Sequence, residues 1–201
     1  IHRAAGGFLG TAGLLSPGGS GHLQRANLTG NLAQAPSGRM AVDLDPGSGD
    51  ADHLTVSGAA DLSGTIALNL VNAGRAAPGR QRFSVFTNAG NLDTAGLGLT
   101  YDPSAVARHA LSFDGPNEVG VQTDIDFCPS ALSGNRRTVG DAVNSIQTQG
   151  GSEDFSVMVA ELFRLPDPGA LSAAYDQLAP LGTADATWAS LSAGQHYTDT
   201  L

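Results

Sequence analysis

Apolar and polar residues alternate through two neighbouring segments of the chain, Gly38–Leu44 and Gly64–Leu70. A period of two residues is typical of a β-strand that buries one face. Glycines and short polar runs separate the alternating stretches, so the pattern predicts a succession of strands and tight turns. The apolar positions are Met40, Val42 and Leu44 in the first segment and Ile66, Leu68 and Leu70 in the second.

The two segments belong to one longer pattern that occurs twice between residues 28 and 71. Gly30 corresponds to Gly58, 28 residues later, and Leu44 corresponds to Leu70, 26 residues later. A repeat of this length indicates stacked units that cannot bury their apolar faces alone. We therefore expect a mostly β protein, a right-handed parallel β-helix (a β-solenoid). The expected structural core is Leu54, Val56, Leu62, Ile66, Leu68 and Leu70.

The segments on either side of the repeat are expected to begin and to close the stack. In the glycine-rich segment 1–27 we expect one or two incomplete rungs, and at 72–80 we expect a loop. Four short strands with turns between them are then expected at 82–87, 97–101, 109–113 and 119–123. Large side chains can cover an open core, so we expect about 80–127 to form a cap. Its closing residues are expected to be Phe83, Val85 and Phe86, with further aromatic cover from Tyr101 and Phe113.

After Pro129 the hydrophobic period changes to that of a helix. A first stripe is predicted at Val139, Ala142, Val143 and Ile146. Ser152 should cap a second helix, and Asp167-Pro168 should begin a third. The second stripe, Phe155, Met158, Val159 and Leu162, is expected to pack within the protein rather than to dock a partner.

A fourth helix is expected around Trp188 and Leu191. The sequence thus predicts two parts, a β-helix over residues 1–127 and a helical linker over 128–201.

Composition narrows the possible partners. The chain has 201 residues and a formal net charge of −9, and its ten basic residues are scattered. Nucleic acid and anionic membrane surfaces require clustered Lys and Arg, so neither is expected as a partner. The single cysteine, Cys128, cannot form an intrachain disulfide and is interpreted as a small hydrophobic residue at a boundary.

Two acidic stretches are candidate sites. Gly47–Leu54 partly matches the calcium-binding nonapeptide of β-rolls, but Ser48 and Asp50 replace glycines and the motif occurs once, so a solvated turn is favoured. Asp43 and Asp45 fall on the outward face of one strand, where an acidic groove would suit a polysaccharide lyase or hydrolase. The histidines show no metal-ligand spacing. No catalytic residue, metal or cofactor is therefore predicted.

The chain resembles the C-terminal passenger region of autotransporters of the type V secretion pathway. In the β part the stretches that carry this resemblance are Leu15-Ser-Pro-Gly-Gly-Ser-Gly-x-Leu, Leu28-Thr-Gly-Asn-Leu, Asp52-His-Leu-Thr-Val-Ser-Gly-Ala-Ala-x-Leu-Ser-Gly-Thr-Ile-Ala-Leu and Pro78-Gly-x-x-x-Phe-Ser-Val-Phe. In the helical part they are Ser133-Gly-Asn-Arg-Arg-Thr-Val-Gly-Asp-Ala-Val and Ala174-Tyr-Asp-Gln-Leu-Ala-Pro180.

The resemblance implies a non-enzymatic role on the cell surface of a Gram-negative bacterium, at the outer membrane. The chain would be a stalk with an autochaperone segment that nucleates folding of the secreted passenger. Its partners would be upstream passenger rungs and a C-terminal β-barrel translocator, both outside this sequence. Two alternatives remain open: an adhesin that binds host protein or glycan through the β-helix, and the polysaccharide lyase or hydrolase named above.

Overall fold

The computed structural model of the chain describes residues 7–178. They form a mostly β structure with a nearly closed parallel sheet and three helices. The strands are β1 Phe8–Thr11, β2 Leu14–Leu15, β3 Arg25–Leu28, β4 Asn31–Gln34, β5 Arg39–Asp45, β6 Asp50–Ala51, β7 His53–Val56, β8 Ala60–Leu70, β9 Gly79–Asn88, β10 Leu92–Thr100, β11 Ala107–Gly115 and β12 Glu118–Ile125. The helices are α1 Gly134–Thr148, α2 Glu153–Phe163 and α3 Pro168–Leu178. A single 3-10 turn, Ala73–Arg75, lies in the segment expected to be a loop.

Parallel pairing follows the spacing of the sequence repeat. Strand β3 pairs with β7, and Leu28 lies opposite Val56. Strand β5 pairs with β8, and Met40 lies opposite Ile66. These partners are 28 and 26 residues apart, which are the two offsets of the repeat. The similar residues of the two copies are therefore stacked neighbours in space.

The long strand β8 pairs with two different strands, one after the other, along one of its edges. Its first residues pair with β4, its later residues pair with β5, and β10 pairs along most of its other edge. Gly64 lies between the two halves with φ +75, a conformation that favours glycine. A Cβ there would collide with the carbonyl oxygen of Gly38 in the neighbouring turn. The corner thus requires glycine both for its backbone angle and for close stacking.

Parallel pairing gives way to antiparallel pairing at the far edge of the second sheet, and also in the short β5–β6 pair. Strand β9 pairs in parallel with β7, but β12 pairs with β9 in antiparallel fashion and β11 pairs antiparallel with β12. The five-strand order is β11-β12-β9-β7-β3. The hairpin β11–β12 therefore adds the last two strands of this sheet at the edge beyond β9.

The main core runs through the stack. Four of the six residues expected to form it, Leu54, Val56, Leu62 and Ile66, are buried. Leu68 and Leu70 are partly buried and pack at its edge.

The second helix begins as expected, and the first buries part of its expected stripe, Val139 and Val143. Ser152 accepts a hydrogen bond from the Phe155 N–H at 3.3 Å and caps α2. In α1 the residues expected to be buried include Ile146, which is 40% exposed. Gly140 and Gln147 are buried with Val143, because Gly140 lets the helix approach the backbone of Phe127 and Cys128 closely. The expected α1 stripe was therefore wrong at Ala142 and Ile146.

The helices share a second core with the end of the β part. Val159, Leu162 and Tyr175 pack in one cluster with residues of the β part such as Val106 and Ile125. The Tyr175 hydroxyl donates to the Phe127 carbonyl at 2.6 Å. The two expected parts therefore meet at 127/128 through a continuous apolar interface. The fourth helix expected around Trp188 lies outside the described residues.

Candidate functional site

The end of the stack carries the three residues expected to close it. Phe83, Val85 and Phe86 on β9 are all buried, at 2%, 0% and 0% exposure. Strand β12 places Val119 opposite Phe86 and Val121 opposite Phe83. The hairpin therefore lays a second row of buried apolar side chains beside the closing residues of β9.

Ion pairs link strand β12 of this hairpin to β9. Arg80 Nε lies 2.7 Å from Asp124 Oδ1, and Arg82 Nη2 lies 2.9 Å from Glu118 Oε1. Arg82 also contacts Asp114 at the hairpin tip. The hydrogen bond from Arg80 is the main cause of a lowered pKa at Asp124. These exposed pairs add little stability each, but together they fix the register of the antiparallel strands.

The other two aromatic residues of the expected cap do not cover the core. Tyr101 is 40% exposed and Phe113 is 52% exposed. The Tyr101 ring instead makes an edge contact with His109, with ring centroids 4.8 Å apart. The expectation that all four aromatic residues close the stack was therefore wrong, because the buried row of β12 is made of valines.

Two buried histidines form hydrogen bonds between neighbouring strands. His53 on β7 bonds the Ser84 carbonyl through Nδ1 at 3.2 Å and Thr87 Oγ1 through Nε2 at 2.9 Å. His109 Nδ1 lies 2.9 Å from Thr123 Oγ1. Burial lowers the pKa of His53 and lowers that of His109 to about 4. Both side chains are therefore neutral at pH 7 and serve as hydrogen-bonding groups.

The acidic pair expected on an open face is in fact enclosed. Asp43 and Asp45 are 4% and 6% exposed. Asp43 accepts from the N–H groups of Gly21 and His22 at 2.5 and 3.0 Å and from Asn69 Nδ2 at 2.8 Å. Loops of the stack cover the strand here, so the expectation of a solvent-facing pair was wrong.

Asp45 is held in a similar way. Its Oδ1 accepts from the Gly47 and Ser48 N–H groups, and its Oδ2 accepts from Asn72 Nδ2 at 2.7 Å. Burial by itself raises the pKa of Asp45, but these hydrogen bonds outweigh it and the net pKa is lowered. Asp43 and Asp45 therefore stabilise neighbouring turns, and their carboxylate oxygens already accept hydrogen bonds from groups of the protein.

Gly47–Leu54, the stretch that partly matches a calcium motif, also makes hydrogen bonds within the protein, through Asp52. Asp52 is 1% exposed; its Oδ1 accepts from Gln24 N–H at 2.7 Å and its Oδ2 from Asp43 N–H at 3.1 Å. Burial raises the pKa of Asp52. The interpretation of this stretch as a solvated turn was therefore wrong at Asp52. Within residues 7–178 no group of three or more His, Cys, Asp or Glu is placed to hold a metal ion.

Cys128 lies at the junction of the two parts. It is 8% exposed, and burial raises its pKa to about 11. A thiol with that pKa is a weak nucleophile at pH 7.

Comparison with known proteins adds no identification. No family model matches the chain, and neither a curated protein nor a solved structure is significantly similar to it. No helix within the described part of the chain is long and apolar enough to cross a membrane.

Proposed function

We propose that residues 1–127 form a right-handed parallel β-helix that is the C-terminal stalk and autochaperone of a surface-displayed autotransporter passenger. In this proposal the role is non-enzymatic. The hairpin β11–β12 and strand β9 nucleate folding of the passenger outside the outer membrane of a Gram-negative bacterium. Residues 128–201 then act as the linker toward a β-barrel translocator.

The observation that carries the proposal is the different structure of the two ends of the stack. Within residues 7–178, the edge strands at the end nearer the N-terminus, β1, β2 and β3, all pair in parallel with their one neighbour. At the other end the β part finishes in an antiparallel hairpin beside β9, and the helices pack against this end in a second core. A stack with one closed end can grow from that end by adding rungs, since each rung contacts only its neighbours.

The closed end also contains a long hairpin of local pairings. Strands β11 and β12 are joined by a short turn, whereas β7 and β9 pair across about 32 residues (Leu54 opposite Phe86). Short loops close at a lower entropic cost than long ones. The hairpin is therefore suited to form early and to offer β9 a paired edge.

The test uses the full-length parent protein in a surface-display assay. Val85→Asp and Phe86→Asp each place a carboxylate in the buried closing row, a change that costs on the order of 4 kcal/mol. We expect loss of the protease-resistant passenger at the cell surface. The matched control is Val157→Asp, which makes the same chemical change at a residue that is 68% exposed on α2. This control should display a resistant passenger.

A second variant separates nucleation from simple destabilisation. Leu32 on β4 is 2% exposed, so Leu32→Asp disrupts the core as strongly as Val85→Asp but at the other end of the stack. If folding begins at the closed end, Leu32→Asp leaves a protease-resistant fragment that contains β9–β12, whereas Val85→Asp leaves none. Equal loss in both variants, or normal display of Val85→Asp, would contradict the autochaperone proposal.

A further inference from the structure

A groove lies where the β stack meets helix α2. It has a volume of about 860 Å³ and is bordered by the end of β8, the 3-10 turn, the segment 101–104 that follows β10, and one face of α2. Pockets of this size accommodate small organic ligands. The closing row of β9 does not line it, so the groove is separate from the proposed folding nucleus.

One buried side chain in the groove has an unused polar atom. His109 lines the groove and is 9% exposed, and its Nδ1 is 2.9 Å from Thr123 Oγ1. Thr123 is fully buried and its hydroxyl has no other partner among residues 7–178, so we assign the hydroxyl as the donor and Nδ1 as the acceptor. The ring proton therefore belongs on Nε2, which has no partner among residues 7–178. His109 thus presents a fixed N–H donor that the protein itself leaves unused.

Two acceptors in the same groove are also held in place. Asn69 and Asn72 line it, and the side-chain N–H₂ group of each donates to a carboxylate, Asp43 at 2.8 Å and Asp45 at 2.7 Å. This leaves each amide oxygen without a hydrogen bond in the described part of the chain. The enclosed aspartates therefore orient two carbonyl acceptors.

The rest of the lining combines an aromatic surface with balanced charge. Tyr101 is fixed by its edge contact with His109 and stays 40% exposed. The charged groups are two arginines and two acids: Arg75, Arg164, Asp102 and Glu161. Their formal charges cancel, so the groove does not favour an anionic or a cationic ligand.

From these features we infer that the groove binds a short neutral saccharide. A sugar has an apolar face for an aromatic ring and hydroxyl groups that both donate and accept hydrogen bonds. Its hydroxyls would accept from His109 Nε2–H and donate to the oxygens of Asn69 and Asn72, while Tyr101 packs on the ring face. This inference does not depend on the proposed folding role, since it uses none of the closing residues.

The experiment is an NMR and calorimetric titration of the full chain with two neutral trisaccharides, maltotriose and N,N′,N″-triacetylchitotriose. Trigalacturonic acid is the anionic comparison. We expect at least one neutral sugar to shift the His109 and Tyr101 signals and to bind more tightly than trigalacturonic acid. Tyr101→Ala should weaken binding about tenfold, the scale of one well-placed aromatic contact.

Two controls make the result specific to the groove. Tyr101→Phe keeps the ring and should keep most of the affinity. Phe113→Ala removes another exposed aromatic residue of the β part that does not line the groove, and it should bind the sugar normally. The inference is overturned if neither neutral sugar shifts the two signals, if trigalacturonic acid binds more tightly, or if Tyr101→Ala and Phe113→Ala behave alike.

Discussion

The buried histidine of β11 should make stability depend on pH in a defined window. His109 is 9% exposed, and burial, the cause of its shift, lowers its pKa from 6.5 to about 4. The unfolded chain then binds a proton more readily than the folded chain between these two values. The contribution of His109 to the free energy of unfolding is fully present above pH 6.5 and is lost as the pH falls toward 4. Below pH 4 this contribution no longer changes.

The size of this effect follows from the difference between the two pKa values. A difference of this size corresponds to about 3 kcal/mol of unfolding free energy between pH 7 and pH 4. His53 contributes in the same direction, because burial also lowers its pKa. The contribution of His109 alone is therefore the difference between the wild type and a variant without a titrating group, such as His109→Asn.

The assay is urea unfolding of the full chain at pH 7, 5.5 and 4.5, for the wild type and for His109→Asn. We expect the wild type to lose more stability than the variant over this range, even if the variant is less stable at pH 7. An NMR titration of the His109 ring protons provides a direct measure of the pKa. A ring that titrates near pH 6.5, or equal pH slopes for the two proteins, would refute the argument.

Three further predictions concern turns, junctions and the thiol. Asp45→Ala removes the acceptor of two turn N–H groups and should cost about 2 kcal/mol in urea unfolding, whereas Asp50→Ala, at an exposed site, should cost less than about 0.5 kcal/mol. Gly74→Ala places a methyl group against the Ser156 backbone and should loosen α2, measured as faster amide exchange in that helix; Gly98→Ala meets only ordinary contacts and should not. Cys128 should react with a thiol reagent at pH 7 at least about tenfold more slowly in the folded chain than in urea.

The stacked strands could be predicted from the sequence because their signal is local and periodic. Apolar alternation located β5 and β8, and the repeat offsets of 28 and 26 proved to be the pairing registers of the structure. Side chains at equivalent positions of a repeat pack on one another. The spacing of the repeat in the sequence therefore gives the register in which the strands pair. Helices α2 and α3 were likewise indicated by local groups, a serine cap and an Asp-Pro start.

Burial of polar residues depended on contacts that no local pattern contains. Asp43 lies on the polar side of an alternating strand, and that pattern predicts exposure. It is buried because the loop at 21–22, some 20 residues away, supplies two N–H donors. The same holds for α1, where close approach to the Phe127 backbone, rather than the strongest apolar stripe, selected the buried face.

By itself the sequence determined that the chain is mostly β, the registers of the central parallel strands and the change to helices after residue 129, since each depends on periodicity, glycine position or capping groups close in the chain. Only the tertiary structure decided that the stack ends in an antiparallel hairpin and that a groove forms beside α2. Those features depend on which distant segments meet: β12 beside β9, and His109 beside Tyr101. Such meetings are set by the packing of whole elements, and packing is a property of the folded chain rather than of any one segment.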